Sequence, residues 1–338
     1  MAKDTPDVSI ILPFFNAVKT LKRAIESIVS QTFEYYECIL VNNNSIDGSE
    51  QIAQEIVDND RRFKLIHEAR QGVVYASNAA SKIAKGKYIA RMDADDVSFP
   101  QRLQWQYDFL EQHPEIHVVS GQVAYVSQIQ KNTDGFKRYV DWVNSVMTYE
   151  DILKSQFIES PIVNPTAMWR KKIAEELGMY RHGDFPEDYE LWLRWLHQGV
   201  KIEKLPRKLI EWHDSSNRLT RTNDMYSDEA FYRIKTKYLN LWLKKNHPHY
   251  PHIAVWGASR ISRKYIDFLK EEHIKIDFYI DIKETRQLDK EIVFYKDLPP
   301  AGEVFVLVYV KHRKIKEEIQ GFLHSRGFVQ GVNYLLLS

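Results

Sequence analysis

Four short apolar runs, VSIIL, CILVN, FKLIH and KYIARM, follow one another before residue 93, and the segments between them carry helical spacing. A strand, helix, strand, helix order buries its apolar surface as a mostly parallel sheet covered on both faces, because each crossover lays a helix on the sheet. The predicted fold class is therefore α/β. The helices are read from Leu21, Ile25, Ile28 and Val29, from Ile52 and Ile56 behind a cap at Ser45 or Asp47, and from Tyr75 to Ile83. Pro13 is read as the end of the first strand. Ligands of such sheets bind outside the carboxyl ends of the strands. The segments lying there are PFFN, NNNSIDGS, EARQG and DADD, so four polar strand ends are expected to share one rim.

At 338 residues the chain is long enough for one large domain and a smaller one, and 44% hydrophobic content fills both cores. Lys+Arg 47 against Asp+Glu 46 leaves a formal net charge of +1, which gives nucleic acid no electrostatic footing as the main partner. The single cysteine, Cys38, lies within the apolar CILV, so neither a disulfide framework nor a thiolate metal site is expected and a reducing compartment fits. The N-terminus MAKDTPD is short and polar, and no window approaches ~20 uninterrupted apolar residues, so neither an export signal nor a membrane span is expected.

The fourth run ends in Asp93, Asp95 and Asp96. Like charges this close repel, which costs stability unless a cation or solvent neutralises them. Mg²⁺ and Mn²⁺ prefer oxygen ligands, take one or two carboxylates from a protein and leave other positions to water and phosphates, and an Asp-Ala-Asp turn suits that. The plainer alternative is that Asp95 and Asp96 cap the helix that begins near Pro100, with Asp93 a solvated turn residue.

VSIILPFFNA, VNNNSIDGS, GVVYASNAASKIAKGKYIARMDADD and FPEDYELWLRW, in this order, resemble the inverting family-two glycosyltransferases of GT-A fold. The resemblance covers residues 8 to about 221 and implies the following roles. Pro13 to Asn16 and Asn42 to Ser45 would hold the nucleoside of a sugar nucleotide, with Asn43 at the base edge where the family often carries an acid. That departure puts the usual uridine preference in doubt. Arg70 would lie near the diphosphate. Asp93, Ala94 and Asp95 would form the donor and metal motif, with Asp93 near the ribose and Asp95 on a Mn²⁺ or Mg²⁺ ion, while Asp96 caps the helix or supports the site. Asp188 would be the base that takes the acceptor's proton, with Glu187 beside the acceptor or donor sugar; their plainer reading is as first-turn acids on a helix. His213 and Arg221, in EWHDSSNRLTRT, could bind phosphate. The acceptor implied is a glycan or lipid-linked hydroxyl, the setting bacterial surface-polysaccharide synthesis, and the location cytoplasmic.

Past residue 225 the character changes. AFYRIKTKYLNLWLKK has five basic residues, no acid, and Phe231, Ile234, Tyr238, Leu241 and Trp242 on one helical face. It is read as a connecting helix packed between domains, with contact to an anionic membrane surface as the alternative. HIAVWGAS, KIDFYID, IVF, VFVLVYV and NYLLL then make a small Rossmann-like unit. Its turn from Gly257 to Ser262 lacks two of the three fingerprint glycines, so assembly, as a homo-oligomer, or acceptor docking is expected rather than a dinucleotide, although Asp281 ends the second strand where a ribose-binding acid would lie. The expected domains are a transferase domain over 1–225, a connecting helix and linker over 226–251, and a small α/β domain over 252–338. The competing functions are an NAD(P)-dependent oxidoreductase and a noncatalytic sugar-nucleotide-binding subunit.

Overall fold

A computed structural model describes residues 5–127, 134–215, 218–257, 260–282 and 290–338. The chain forms two compact units, one of Met1–Tyr149, Ile162–Gly183 and Gln198–Asn223, the other of Glu150–Pro161, Asp184–His197 and Asp224–Ser338.

The first unit is built on eight strands: β1 Val8–Phe14, β2 Tyr36–Asn42, β3 Phe63–His67, β4 Tyr88–Arg91, β5 Val97–Ser98, β6 Val118–Ser127, β7 Met168–Arg170 and β8 Ile202–Asp214. Their order is β3-β2-β1-β4-β7-β6-β8-β5. The four runs seen in the sequence are the parallel strands β1 to β4, and β7 runs antiparallel to β4 and β6. Every residue of β1 and β2 is buried, as expected of strands covered on both faces. The helix Leu21–Val29 supplies part of that cover with Leu21, Ala24, Ile25 and Ile28, one stripe at helical spacing.

Two local expectations are corrected. The first strand does not stop at Pro13, which pairs with Val41 inside β1. Strand β4 has already ended at Arg91, opposite Ile11, so β1 is an edge on that side at Pro13 and the missing N–H costs no bond of the β1–β4 ladder. The helix Ser49–Asn59 is preceded by Gly48, with no side-chain cap; Asp47 instead accepts from the backbone N–H of Val18 at 3.0 Å and of Ser49 at 3.1 Å, tying the loop after β1 to the start of this helix.

Gly86 shows how tightly the crossover into β4 is packed. A Cβ there would lie 2.5 Å from the backbone nitrogen of Ser9 and 2.7 Å from the carbonyl carbon of Val8. Its N–H donates to Ser9 Oγ, which donates to the buried Glu37. Gly86→Ala is expected to destabilise the chain by about 3 kcal/mol, because backbone rather than a side-chain tip must give way. Denaturant unfolding of the two proteins checks this; equal midpoints would contradict the packing.

The second unit holds β9 His252–Trp256, β10 Lys275–Asp281, β11 Ile292–Phe294, β12 Val306–Val308 and β13 Tyr334–Leu336, all parallel, in the order β11-β10-β9-β12-β13. This is the doubly wound pattern expected for the small α/β unit. Gly257 ends β9 at φ +115°, and a Cβ there would lie 2.8 Å from the carbonyl oxygen of Tyr309. Close strand packing thus accounts for this glycine; Ala258 and Ser259 of the same turn lie outside the described residues. Asp281 does end β10, and its Oδ1 accepts from the next N–H, that of Ile282.

The helix Asp228–Asn246 is no bare connector. Ile234, Tyr238, Leu239 and Leu243 are buried, and Phe231, Leu241 and Trp242 partly so, in one core with Tyr189, Leu193, Ile253 and Leu307 of the same unit. Its apolar face is thus engaged within the protein. Among the described residues no helix is long and apolar enough to cross a membrane.

Candidate active site

Parallel β1, β2, β3 and β4 deliver their following loops to one rim of the first unit, and side chains lock those loops together. Asn16 sits at φ +47°; its N–H donates to Ser45 Oγ at 3.0 Å, and its Oδ1 accepts from the Ile46 N–H at 3.0 Å. Asn42 accepts from the Ser45 N–H and donates to Glu50. Asn43 is buried, with its amide given to the backbone: Nδ2 donates to the carbonyls of Glu68 and Arg70, both at 2.8 Å, and Oδ1 accepts from the Gly72 N–H at 2.7 Å. A contact from Nδ2 to a base requires one of those bonds to be exchanged, whereas Oδ1 has a second acceptor position, approached at 3.4 Å by the Gln71 amide. Asn43 is therefore the clamp between the second and third loops.

Arg70 stands exposed at the rim. Its guanidinium forks onto Glu68 with two 2.9 Å bonds and lies 4.7 Å over the Tyr75 ring. This ion pair holds the Glu68 carboxyl well below the usual range. Pro13 is buried beneath the rim and Ala94 packs against the apolar core.

Asp93, Asp95 and Asp96 link β4 to β5, and each offers a carboxylate oxygen within 4.8 Å of the others. Asp93 Oδ1 pairs with the buried Arg91 at 2.6 Å. Asp96 is fully buried; its Oδ1 accepts the His213 N–H at 2.9 Å, while Oδ2 is buried with no hydrogen-bond partner among the described residues. Burial first, and then the neighbouring carboxylates, raises Asp95 above its ordinary value and Asp96 well above it, against the opposing charge of Arg218. Asp96 does not cap the following helix. That helix starts at Arg102 after Gln101, and Asp96 is spent instead on β8, to which β5 is antiparallel.

The sequence reading missed the cations under this loop. Arg23 Nη2 donates to the Asp95 carbonyl at 2.9 Å. Arg102 is buried, donates to the Arg91 carbonyl at 2.8 Å, and is pushed down to about 10 by burial. One signal was available for Arg91: it interrupts the otherwise apolar YIARM, and a charge there needs a buried partner. His213 reaches the site from the end of β8, with Nε2 3.2 Å from Glu211 and Nδ1 buried without a partner among the described residues. Arg221 pairs at 2.7 Å with the buried Asp214, which also accepts from the Tyr125 hydroxyl.

The rim thus brings together Pro13, Asn16, Asn43, Arg70, Asp93, Ala94 and Asp95. Glu187 and Asp188 belong to the second unit, where they open the helix Glu187–His197. Glu187 is buried and accepts from the Tyr226 hydroxyl at 2.6 Å, and Asp188 Oδ1 accepts from the Tyr189 N–H.

What the rim can do follows from its chemistry. Hard oxygen donors around an orphaned buried oxygen match a divalent cation, and loops closed by amide and hydroxyl bonds give a stiff cradle beside it.

The family model described as Glycosyl transferase family 2 matches residues 9–178. EpsE of Bacillus subtilis, described as a glycosyltransferase, is 33% identical over 66% of this chain and 78% of its own. The amylovoran biosynthesis glycosyltransferase AmsE of Erwinia amylovora is 27% identical over 67% of this chain and 85% of its own. Among solved structures, residues 1-349 of S. aureus TarS in complex with UDP-GlcNAc superpose with a TM-score of 0.55 at 15% identity, over 79% of this chain and 80% of that one. At that identity the likeness shows the fold.

Proposed function

The chain belongs to glycosyl transferase family 2 and is a glycosyltransferase, and we propose that it moves a sugar, with inversion, from a nucleoside diphosphate to a hydroxyl of a glycan or lipid-linked acceptor in surface-polysaccharide synthesis. The observation that carries this reading is the buried Oδ2 of Asp96, without a hydrogen-bond partner among the described residues, set among three converging carboxylates at a rim shared by four parallel strands. The transferase segment is assigned to 1–225 and the small α/β domain to 252–338, joined by 226–251. The UDP-GlcNAc bound by TarS and the amylovoran pathway of AmsE support the donor class and the setting.

Asp93, Asp95 and Asp96, whose carboxylate oxygens lie within 4.8 Å of one another, form the donor set that would hold Mn²⁺ or Mg²⁺. The oxygen composition fits a hard ion, and the Asp95 and Asp96 carboxyls are raised first by burial and then by the neighbouring carboxylates. Such an ion, when bound, offsets the negative charge that develops on the departing diphosphate. Asn16, Asn43 and Arg70 hold the nucleotide's loops in place. Arg91 orients Asp93 by direct pairing, and Arg23 fixes the Asp95 backbone. Asp188 accepts the proton of the attacking hydroxyl, and a single displacement with one base inverts the anomeric centre, by the same logic that divides inverting from retaining glycosidases.

Thermal shift with uridine, guanosine, cytidine and thymidine diphosphates, each with and without Mn²⁺, and with NAD, tests the reading. At least one nucleoside diphosphate is expected to stabilise the chain only when Mn²⁺ is present, by roughly 2.7 kcal/mol at a hundredfold excess over its dissociation constant. Stabilisation by NAD alone would replace this function with an oxidoreductase.

A further inference from the structure

The turn Asn164–Thr166 delivers the chain into β7 beside the end of β4. The two strands are antiparallel and the Arg91 N–H donates to the Ala167 carbonyl at 3.0 Å, so the turn abuts the point where Asp93 leaves the sheet. It is held stiffly there. Pro165 fixes its own φ, the fully buried Gln106 amide donates to the Thr166 carbonyl at 2.8 Å, and the Thr166 and Ser120 hydroxyls share a 2.5 Å bond.

Asn164 is only 8% exposed, and half of its amide is satisfied. Oδ1 accepts from the buried Tyr180 hydroxyl at 2.8 Å, and the Tyr180 carbonyl accepts from the Asn78 amide, on the helix Val73–Ile83, at 2.9 Å. Nδ2 has no hydrogen-bond partner among the described residues. Because the amide is planar, anchoring Oδ1 on Tyr180 also sets the direction of the two N–H bonds.

This group selects among ligands. A neutral amide donor matches the hydroxyl oxygens of a sugar, and leaving its N–H bonds unpaired at this depth costs free energy that a ligand oxygen restores and a ligand lacking that oxygen does not. Position favours the sugar that is transferred over the one that receives it. The transferred sugar is bonded directly to the diphosphate assigned to the carboxylates after β4, whereas inversion brings the acceptor to the opposite face of the anomeric carbon.

We propose that Asn164 is a specificity-determining residue, which donates through Nδ2 to a hydroxyl oxygen of the donor sugar while Tyr180 holds the amide in place. The inference rests on the donor site proposed above and deepens it, from the nucleotide to the sugar that the nucleotide carries.

Calorimetric titration of the full chain in Mn²⁺ compares UDP and GDP with UDP-glucose, UDP-galactose, UDP-N-acetylglucosamine and GDP-mannose. Asn164→Ala is expected to leave the dissociation constants of the plain diphosphates unchanged and to raise that of at least one sugar nucleotide roughly tenfold. Unchanged diphosphate binding also reports that the variant is folded. Asn164→Asp, equal in size but with an acceptor in place of the donor, is expected to weaken the same sugar nucleotide at least as much. Deoxy analogues of that sugar supply a readout that a structural role would not move. One of them should bind the wild type as weakly as the parent sugar nucleotide binds Asn164→Ala and lose nothing further in the variant, while the others keep the tenfold difference. Equal weakening of diphosphates and sugar nucleotides, a loss shared by every deoxy analogue, or sugar-nucleotide binding unchanged in both variants would each overturn the proposal. A wild-type chain that binds none of these nucleotides would remove the donor site itself, and this inference with it.

Discussion

Asp95→Ala is expected to lower transfer by at least about 10³-fold and to remove the Mn²⁺-dependent stabilisation by nucleoside diphosphate. The residue lies half-buried between Asp93 and Asp96, and its carboxyl is raised by burial and by the Asp93 charge. Removing it relieves repulsion in the ion-free protein, so unfolding stability without metal should stay level or rise. Loss of function with stability intact is the signature of a carboxylate retained for a cation. Two measurements check it on the same preparation, calorimetric titration of Mn²⁺ with a nucleoside diphosphate, and denaturant unfolding without metal. Unchanged metal-dependent binding would show that Asp95 is a structural turn residue.

Asp188→Asn is expected to leave donor binding untouched and to reduce kcat by 10²- to 10⁴-fold, the usual contribution of a positioned general base. Asparagine preserves the size of the side chain, and its Oδ1 can still accept the Tyr189 N–H, so the helix start should survive. What disappears is the capacity to take a proton from the incoming hydroxyl. Transfer to a defined acceptor, followed together with nucleotide binding, separates the two effects. A variant that transfers at the full rate would move the base to another residue. Wild-type product with retained anomeric configuration would instead replace the single displacement with a double one.

Much of the α/β pattern was legible because it is local. VSIIL, CILVN, FKLIH and KYIARM are β1 to β4, and HIAVW, KIDFYID and NYLLL lie on β9, β10 and β13, since continuous apolar runs between helical spacings have few other ways to be buried. The rim followed from that order, as parallel strands must point their carboxyl ends the same way. The misses share a cause. Asp96 looks like a helix cap in sequence because Pro100 to Leu110 follows it, yet it bonds the His213 N–H, 117 residues away. The helix Asp228–Asn246 reads as a connector packed between domains, and its apolar face lies in the core of its own unit.

Periodicity, turn residues and the acid-rich DADD were sufficient, without coordinates, to determine the α/β class, the parallel strands and the rim where chemistry belongs, because each depends on neighbours within a few positions. Only the tertiary structure decided which acid is orphaned, which arginines lie under the loop and which polar side chains are spent on backbone. Those outcomes depend on burial and on hydrogen bonds between residues far apart in the chain, and a buried polar group's energy is set by whichever partner the fold brings to it.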